Sequence, residues 1–403
     1  MHTEFFGPSS ASWQGHISQE EQGLQVLGQQ FMLDKLPEDI FDTLFSYLSI
    51  EDAARAACVS RGYLRSWRRY PRLLFNNKTL GLNKLGIHLD EDTRALEDEQ
   101  YREDKIESHF ANKINHALEN HSGFGMKALI LQLFPCHIDA SYLDKWLRIA
   151  VKPGIEELAL ELSTLKRRAE YNFPSLLLSN EIGGSTLESL RLTSCAFHPT
   201  ATLGCNRSLT SLCLTSAHIT GEELGQFVSN CISLARLSIY ECNYIICFKV
   251  PCMLHHLNDF FVAECEMLQV IEIRAPKLSS FVVGDDRIQI SLGAEVKHIR
   301  IRGSKPNTLC HARAEVPSFM PAVERLIVES SCEKVKTPIM SSKFLLLKYL
   351  DISLVDVGTG NLLRRDSVLK DLDKDQLHLR QMPECLHNNL KNVMMTGLAL
   401  QRA

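Results

Sequence analysis

Two hydrophobic periods divide the chain. Residues 1–30 are rich in Gly, Ser and Gln with little periodicity. From about Leu36 to residue 150 apolar side chains recur every three to four positions, and from about Ile155 they recur every second position in short bursts. Leu36 to Pro71 carries the first period most clearly. At 100° per residue, Leu36, Ile40, Phe41, Leu44, Phe45, Tyr47 and Leu48 fall on one half of a helical wheel, with Glu38, Asp39, Asp42 and Ser46 on the other. Pro37 stands in the first turn, where a missing N–H costs nothing. Ser49 with Asp52 approximates a capping box for a second short helix through Ala57, and Ser60 caps a third that ends near Pro71. So small a unit leaves much of its surface in water. Several large side chains, each contributing roughly 1.5–3 kcal/mol when buried, therefore need a surface supplied by the next domain or by another protein. Between Ile106 and Ala150 two or three amphipathic helices follow, on Ile106, Phe110, Ile114 and Leu118 and on Leu143, Trp146, Leu147 and Ala150.

The second period is a repeat with apolar residues at its first, fourth and sixth positions. It runs IEELAL (155–160), LESLRL (187–192), LTSLCL (209–214), LARLSI (234–239), LNDFFV (257–262), LQVIEI (268–273), LSSFVV (278–283), VKHIRI (296–301), VERLIV (323–328) and LKYLDI (347–352). In a strand the fourth and sixth residues share a face, so each unit predicts one half-buried strand that is stable only when stacked on its neighbours. The units start 32, 22, 25, 23, 11, 10, 18, 27 and 24 residues apart. A coil with a strand and a return helix needs about 20–29 residues. The steps around Leu257 to Leu278 are too short for that and predict compact strand-only turns, with strands on one face or on alternate faces. ITGEELGQFVSNC (219–231) encodes a return helix, with Thr220 as cap and Glu223 at its third position.

Composition narrows the function classes. With 403 residues the chain has room for two or three domains, and a net charge of −4 does not suggest a nucleic-acid or membrane-surface binder. No apolar run approaches the length of a membrane span, and the start MHTEFFGPSS has neither a basic region nor an apolar signal core. The 13 cysteines form no framework and are expected to be reduced. Three of them, Cys195, Cys242 and Cys265, occupy the small ninth position of the repeat, where buried cysteine acts as a small hydrophobe. Cys242, Cys247, Cys252 and His255-His256 lack paired C-x-x-C spacing, so no metal is expected, and no nucleotide-binding or hydrolase motif appears. Residues 90–107 carry nine acids against three bases and read as a solvated face or an acidic docking patch. Arg61, Arg65, Arg68, Arg69 and Arg72 read as the charged outer face of an amphipathic helix.

Leu36-Pro37-Glu38-Asp39-Ile40, then Leu44, Leu48, the run Cys58-Val59-Ser60-Arg61 and Trp67 resemble an F-box. That module docks substrate receptors on the SKP-type adaptor of cullin ubiquitin ligases. The spacing of the later units resembles leucine-rich repeats (LRRs), and LRQMPECLHNNLKNVMMTG (379–397) resembles part of the FBD-type tail of plant F-box/LRR proteins. The likeness to that plant family runs from about Met32 to Gly397, with DASYLDKWLRIAVKPGIEELAL and LQVIEIRAPKLSSF as supporting stretches.

The resemblance implies an α+β repeat fold, a three-helix F-box followed by an LRR solenoid. The expected divisions are a mobile tail (1–30), the F-box (31–76), a helical connector (77–150), the solenoid (151–356) and a partial FBD-like tail (357–403), with fraying after about Asp356. It implies a non-catalytic substrate receptor without cofactor, in the cytoplasm or nucleus, bound to a SKP-type adaptor, through it to cullin, and to an unknown target protein. Leu36, Pro37, Ile40, Leu44, Leu48, Val59 and Trp67 are its adaptor-docking or F-box core positions. The outward third, fifth and seventh strand positions, including Arg191, Tyr240, Arg274, His298, Arg300, Arg302, Arg325 and Tyr349, are either a target-binding face for an acidic partner or ordinary exposed strand residues. A repeat scaffold outside any ligase, its helices merely capping the solenoid, is the alternative.

Overall fold

The computed structural model describes residues 40–81, 96–163, 170–179, 186–200, 207–283, 288–292, 296–303, 312, 316–330, 344–354 and 389–396, with short breaks inside the first two stretches. The expected tail 1–30 and most of 357–403 lie outside the described residues. Two units are distinguished, divided between Arg168 and Ala169.

In the first unit Ile40, Thr43 and Phe45 are helical, followed by α1 (Ile50–Ala57) and α2 (Arg61–Trp67). α2 leads through Pro71 into β1 (Arg72–Phe75). Then come α3 (Leu96–Asn120), β2 (Ala128–Gln132), α4 (Ala140–Ala150) and β3 (Glu157–Glu161). The three strands are parallel, with Leu73 opposite Leu129 and Leu129 opposite Leu158. Ile106, Phe110, Ile114 and Leu118 of α3 and Leu143, Trp146 and Leu147 of α4 are buried, as their spacing predicts. The Trp146 indole donates to Asn115 Oδ1 at 2.9 Å, which satisfies its one buried donor. β1 and β2 are not anticipated from sequence. RLLF and ALILQ are apolar runs too short for their period to separate strand from helix.

The second unit holds the remaining repeat strands. β5 (Ser189–Thr193), β7 (Ser211–Thr215), β8 (Arg236–Tyr240), β10 (Asp259–Ala263), β12 (Ser280–Val283), β14 (His298–Gly303), β15 (Arg325–Ser330), β16 (Tyr349–Leu354) and β17 (Asn392–Thr396) pair in that order, all parallel. Leu190, Leu212, Leu237, Phe260, Phe281, Ile299 and Leu326 form one in-register buried row. The first residues of the units, from Leu187 and Leu209 to Val323 and Leu347, are buried as well.

A second sheet of β9 (Cys247–Met253), β11 (Val270–Arg274) and β13 (Gln289–Ser291) accounts for the short steps. From β8 to β14 the chain alternates between the sheets, so the coil's return leg is a strand. The unit at 268–273 is therefore the return leg between β10 and β12. It mimics the template because any half-buried strand shows period two. Across the core Phe248 meets Phe260, and Phe260 meets Phe281, with ring centroids 6.0 and 5.4 Å apart. A short pair, β4 (Asn172–Phe173) and β6 (Ala196–Phe197), lies nearer the start of this unit. α6 (Val316–Phe319) precedes β15.

α5 (Gly221–Ser229) is the return helix read from sequence, and its capping box joins Thr220 and Glu223 in both directions. It packs on the backbone of β9, and glycine is what permits the approach. A Cβ on Gly221 would stand 1.8 Å from Cys247 O, and one on Gly225 2.2 Å from Lys249 O. β17 is a strand not anticipated in the expected tail: LKNVMM (390–395) carries the repeat's own pattern, and its strand pairs with β16 in register. Residues 355–388 lie outside the described residues.

Gly225→Ala will destabilise the second unit by about 1–3 kcal/mol, the cost of overpacking a close contact. Glu222→Ala on the same helix will change stability by no more than about 0.5 kcal/mol. Chemical denaturation of each variant measures the difference, and equal costs would contradict the packing. In the first unit His121 is buried and bonds Tyr70 O at 2.8 Å through Nε2. Burial lowers its pKa, against the opposing effect of that bond, with Lys152 adding to the lowering. The folded state therefore favours the neutral ring. Its stability contribution is full above the unfolded value of about 6.5 and is lost as pH falls below it. The melting temperature will fall between pH 7.5 and 5.5, and His121→Gln, which retains an N–H donor, will reduce that fall.

Candidate functional site

The first candidate surface lies between Ile40 and Val59. The helical residues at its start split their apolar side chains. Phe45 is buried, its ring 6.1 Å from Tyr63 and 6.2 Å from Tyr70. Ile40 is 47% exposed, Tyr47 82%, Leu48 39% and Val59 78%, so the same stretch leaves four large apolar side chains in solvent. Among the described residues of this unit, the large apolar side chains of α3, α4 and the strands are mostly covered, while Phe134 in a loop is also 60% exposed, so the stretch differs in carrying four such side chains close together in sequence. Trp67 faces inward, 9% exposed, with its ring 5.8 Å from that of Tyr70. Of the positions expected from sequence, Ile40, Leu48 and Val59 are presented outward and Trp67 belongs to the core. Leu36, Pro37 and Leu44 lie outside the described residues. The arginines Arg61, Arg65, Arg68, Arg69 and Arg72 are exposed.

Sequence reasoning missed Tyr70. Its phenol donates to Leu48 O at 2.7 Å across 22 residues, and burial raises its pKa, against the smaller effect of Arg72, which keeps it a donor. A side-chain bond to a distant backbone carbonyl leaves no periodic trace. The one available hint is Tyr70's place just before Pro71, where a helix has to stop.

The second candidate surface is the outward face of the larger sheet. Arg191, Arg300, Arg325 and Tyr349 are exposed there and Tyr240 is half-buried. Arg302 lies opposite Glu329 in the register of β14 and β15. These residues do not form one basic stripe. Arg191 stands five strands from Arg300, about 24 Å at the usual strand spacing. Between them the register places Cys213, Ser238, Phe261 and Val282, all half-buried. Arg300 has Glu329 at 3.7 Å, and the Arg325 guanidinium lies 5.9 Å from the Tyr349 ring centroid. Arg274 is a correction. It sits on β11, in the second sheet, away from the other candidates, because its unit is a return leg.

At the ends of β7, β8 and β10 the chain turns through a residue with positive φ, Ser216 (47°), Glu241 (54°) and Glu264 (54°), as it does at Ser194 (56°) after β5. Each turn costs about 1 kcal/mol for a residue with a Cβ. The ladder continues through it: Ser194 N, Ser216 N and Glu241 N donate to Thr215 O, Tyr240 O and Ala263 O at 2.9, 2.8 and 3.1 Å. The next residues, Cys195, Ala217, Cys242 and Cys265, are buried beneath these turns. Burial pushes the thiols of Cys195 and Cys242 up to about 12 and that of Cys265 up to about 11, so they pack as neutral side chains.

Around the turns lies a groove of about 390 Å³ lined by Ser216, Ala217, Glu241, Asn243, Tyr244, Glu264 and Glu266. Tyr244 stacks on His218 at 3.6 Å, and His218 Nδ1 is 3.0 Å from Glu170 Oε2. Among the described residues no lysine or arginine makes an ion pair with Glu241, Glu264 or Glu266. This part of the surface is acidic, opposite in sign to the expected stripe. Among the described residues, no group of three or more histidines, cysteines or carboxylates is placed to hold a metal, and no helix is long and apolar enough to cross a membrane.

Comparison with known proteins gives these surfaces a context. Residues 33–74 match the F-box domain family, and residues 117–363 match the family described as At1g61320/AtMIF1, LRR domain. The chain is 23% identical over 248 residues to the F-box/FBD/LRR-repeat protein At1g13570 of Arabidopsis thaliana, over 60% of this chain and 53% of that protein. It thus spans about half the length of the curated relative it matches. An F-box domain is followed by an LRR domain, and the chain belongs to the At1g61320/AtMIF1 LRR family of plant F-box/LRR proteins.

Proposed function

We propose that this chain is the substrate receptor of an SKP–cullin–F-box ubiquitin ligase, with residues 31–76 docking on the SKP-type adaptor and the repeat of 151–356, stacked as a solenoid, holding a target protein. The observation that carries this reading is the exposure of Ile40, Leu48 and Val59 inside the segment that matches an F-box. Apolar side chains left in water in a folded chain favour a partner that covers them, and F-box domains generally bind SKP-type adaptors. Residues 77–150 connect the two functions, and 357–403 form an FBD-like tail. The chain itself performs no chemistry, as is general among F-box/LRR proteins. By tethering the target it raises the effective concentration of a target lysine beside the conjugating enzyme that cullin recruits. The setting this implies is the cytoplasm or nucleus.

For the target, the supporting features are the half-exposed Tyr240, Phe261 and Val282 on the outward sheet face, with Arg191 on one side and Arg300, Arg325 and Tyr349 on the other. The acidic groove at the ends of β7, β8 and β10 includes Glu241, the residue after Tyr240. Apolar centres rimmed by charge are the usual anatomy of a protein–protein surface.

The test is a binding titration of the full chain with a recombinant SKP-type adaptor. Wild type will bind, and Ile40→Asp/Leu48→Asp will bind at least about 100-fold more weakly, since it buries two charges in an apolar contact. No binding by wild type, or equal binding by both, would leave a repeat scaffold outside any ligase as the better reading.

A further inference from the structure

We propose that Tyr70 is the positioning residue of the adaptor-docking face, holding the corner that carries Leu48 in the geometry the adaptor needs. The inference rests on the adaptor-docking reading above and adds what sets that face. Leu48 closes a turn, with its N–H donating to Phe45 O at 3.1 Å, and α1 starts two residues later. The Leu48 carbonyl therefore sits at the corner between the helical residues that carry Ile40 and the helix that leads to Val59. The Tyr70 hydroxyl donates to that carbonyl at 2.7 Å.

Tyr70 can serve as an anchor because it is itself fixed from the other side. Its carbonyl accepts from His121 Nε2 at 2.8 Å. Next to it, Arg68 O accepts from Ser122 N at 2.8 Å and from Ser122 Oγ at 2.6 Å. Pro71 O accepts from Lys127 N at 2.7 Å and from Ala128 N at 2.9 Å. The ring is 5% exposed, edge-on to Phe45 and stacked on Trp67. The end of α3 and the start of β2 thus grip the residue, and its hydroxyl grips the docking corner. Without the hydroxyl the corner keeps its apolar packing and loses the long-range tether from Tyr70 to Leu48 O. Ordering it then falls to the binding step and weakens affinity.

Tyr70→Phe removes only the hydroxyl. In a calorimetric titration of the full chain with a SKP-type adaptor it will bind about five- to tenfold more weakly than wild type. Hydrogen exchange will show faster opening at Leu48 to Asp52 and no change in α3. Leu158→Val, a mild cavity in β3 of the same unit, controls for general destabilisation and will bind like wild type despite a comparable loss of melting temperature. If Tyr70→Phe binds as tightly as wild type, or if both variants weaken binding alike, Tyr70 has no positioning role and the docking reading stands. If wild type itself does not bind, the docking reading fails and takes this inference with it.

Discussion

Each repeat strand has apolar residues on one face only and buries that face only where its neighbours continue the row. The interior rows of the larger sheet, running through Leu190, Leu237, Phe281 and Leu326, exist only in register. A slip of one residue would turn those side chains to solvent and their polar neighbours inward. Local features of the second unit serve this constraint. The positive-φ turns at Ser194, Ser216 and Glu241 accept backbone strain so that the ladder continues past the strand ends. The neutral cysteines beneath them fill the space at those ends where a larger side chain would crowd the neighbouring coil. The glycines of α5 let a helix lie directly on a strand.

The constraint also explains how far the sequence could be read. Every one of the ten template matches is a strand, because period two is a direct consequence of burying one face. The sheet to which a strand belongs leaves no such mark. LQVIEI and LNDFFV are alike in pattern, yet one is a return leg and the other part of the larger sheet. Arg274 therefore lies on a different sheet from the residues whose pattern it shares. LKNVMM shows that a stretch resembling the FBD-type tail also carries the strand period. The arc from Leu36 to Leu48 was legible as amphipathic. Which of its members turn inward depends on Tyr63 and Tyr70, whose contacts with Phe45 cross 18 and 25 residues of sequence.

In the first unit the helices that match an F-box run into the sheet without a linker. α2 ends at Trp67, Pro71 O accepts bonds from the start of β2, and β1 begins at Arg72. Covering Ile40, Leu48 and Val59 would therefore engage a segment already fixed within its unit, so little conformational freedom is lost on binding. The outward face of the larger sheet has a different character. Its charges are partly paired internally, as at Arg300 and Glu329, and its half-buried centre is apolar. One surface presents unpaired apolar bulk and the other a mixed polar face, which suits them to different partners.

The central claim, that the exposed apolar residues of the F-box segment are a foreign subunit's seat and the sheet face is left free, is tested most directly by hydrogen exchange of the full chain with and without a SKP-type adaptor. The account predicts slowed exchange in the described residues from Ile40 to Trp67 and unchanged exchange in β5 to β16. Protection confined to the repeat strands, with none between Ile40 and Trp67, would contradict it.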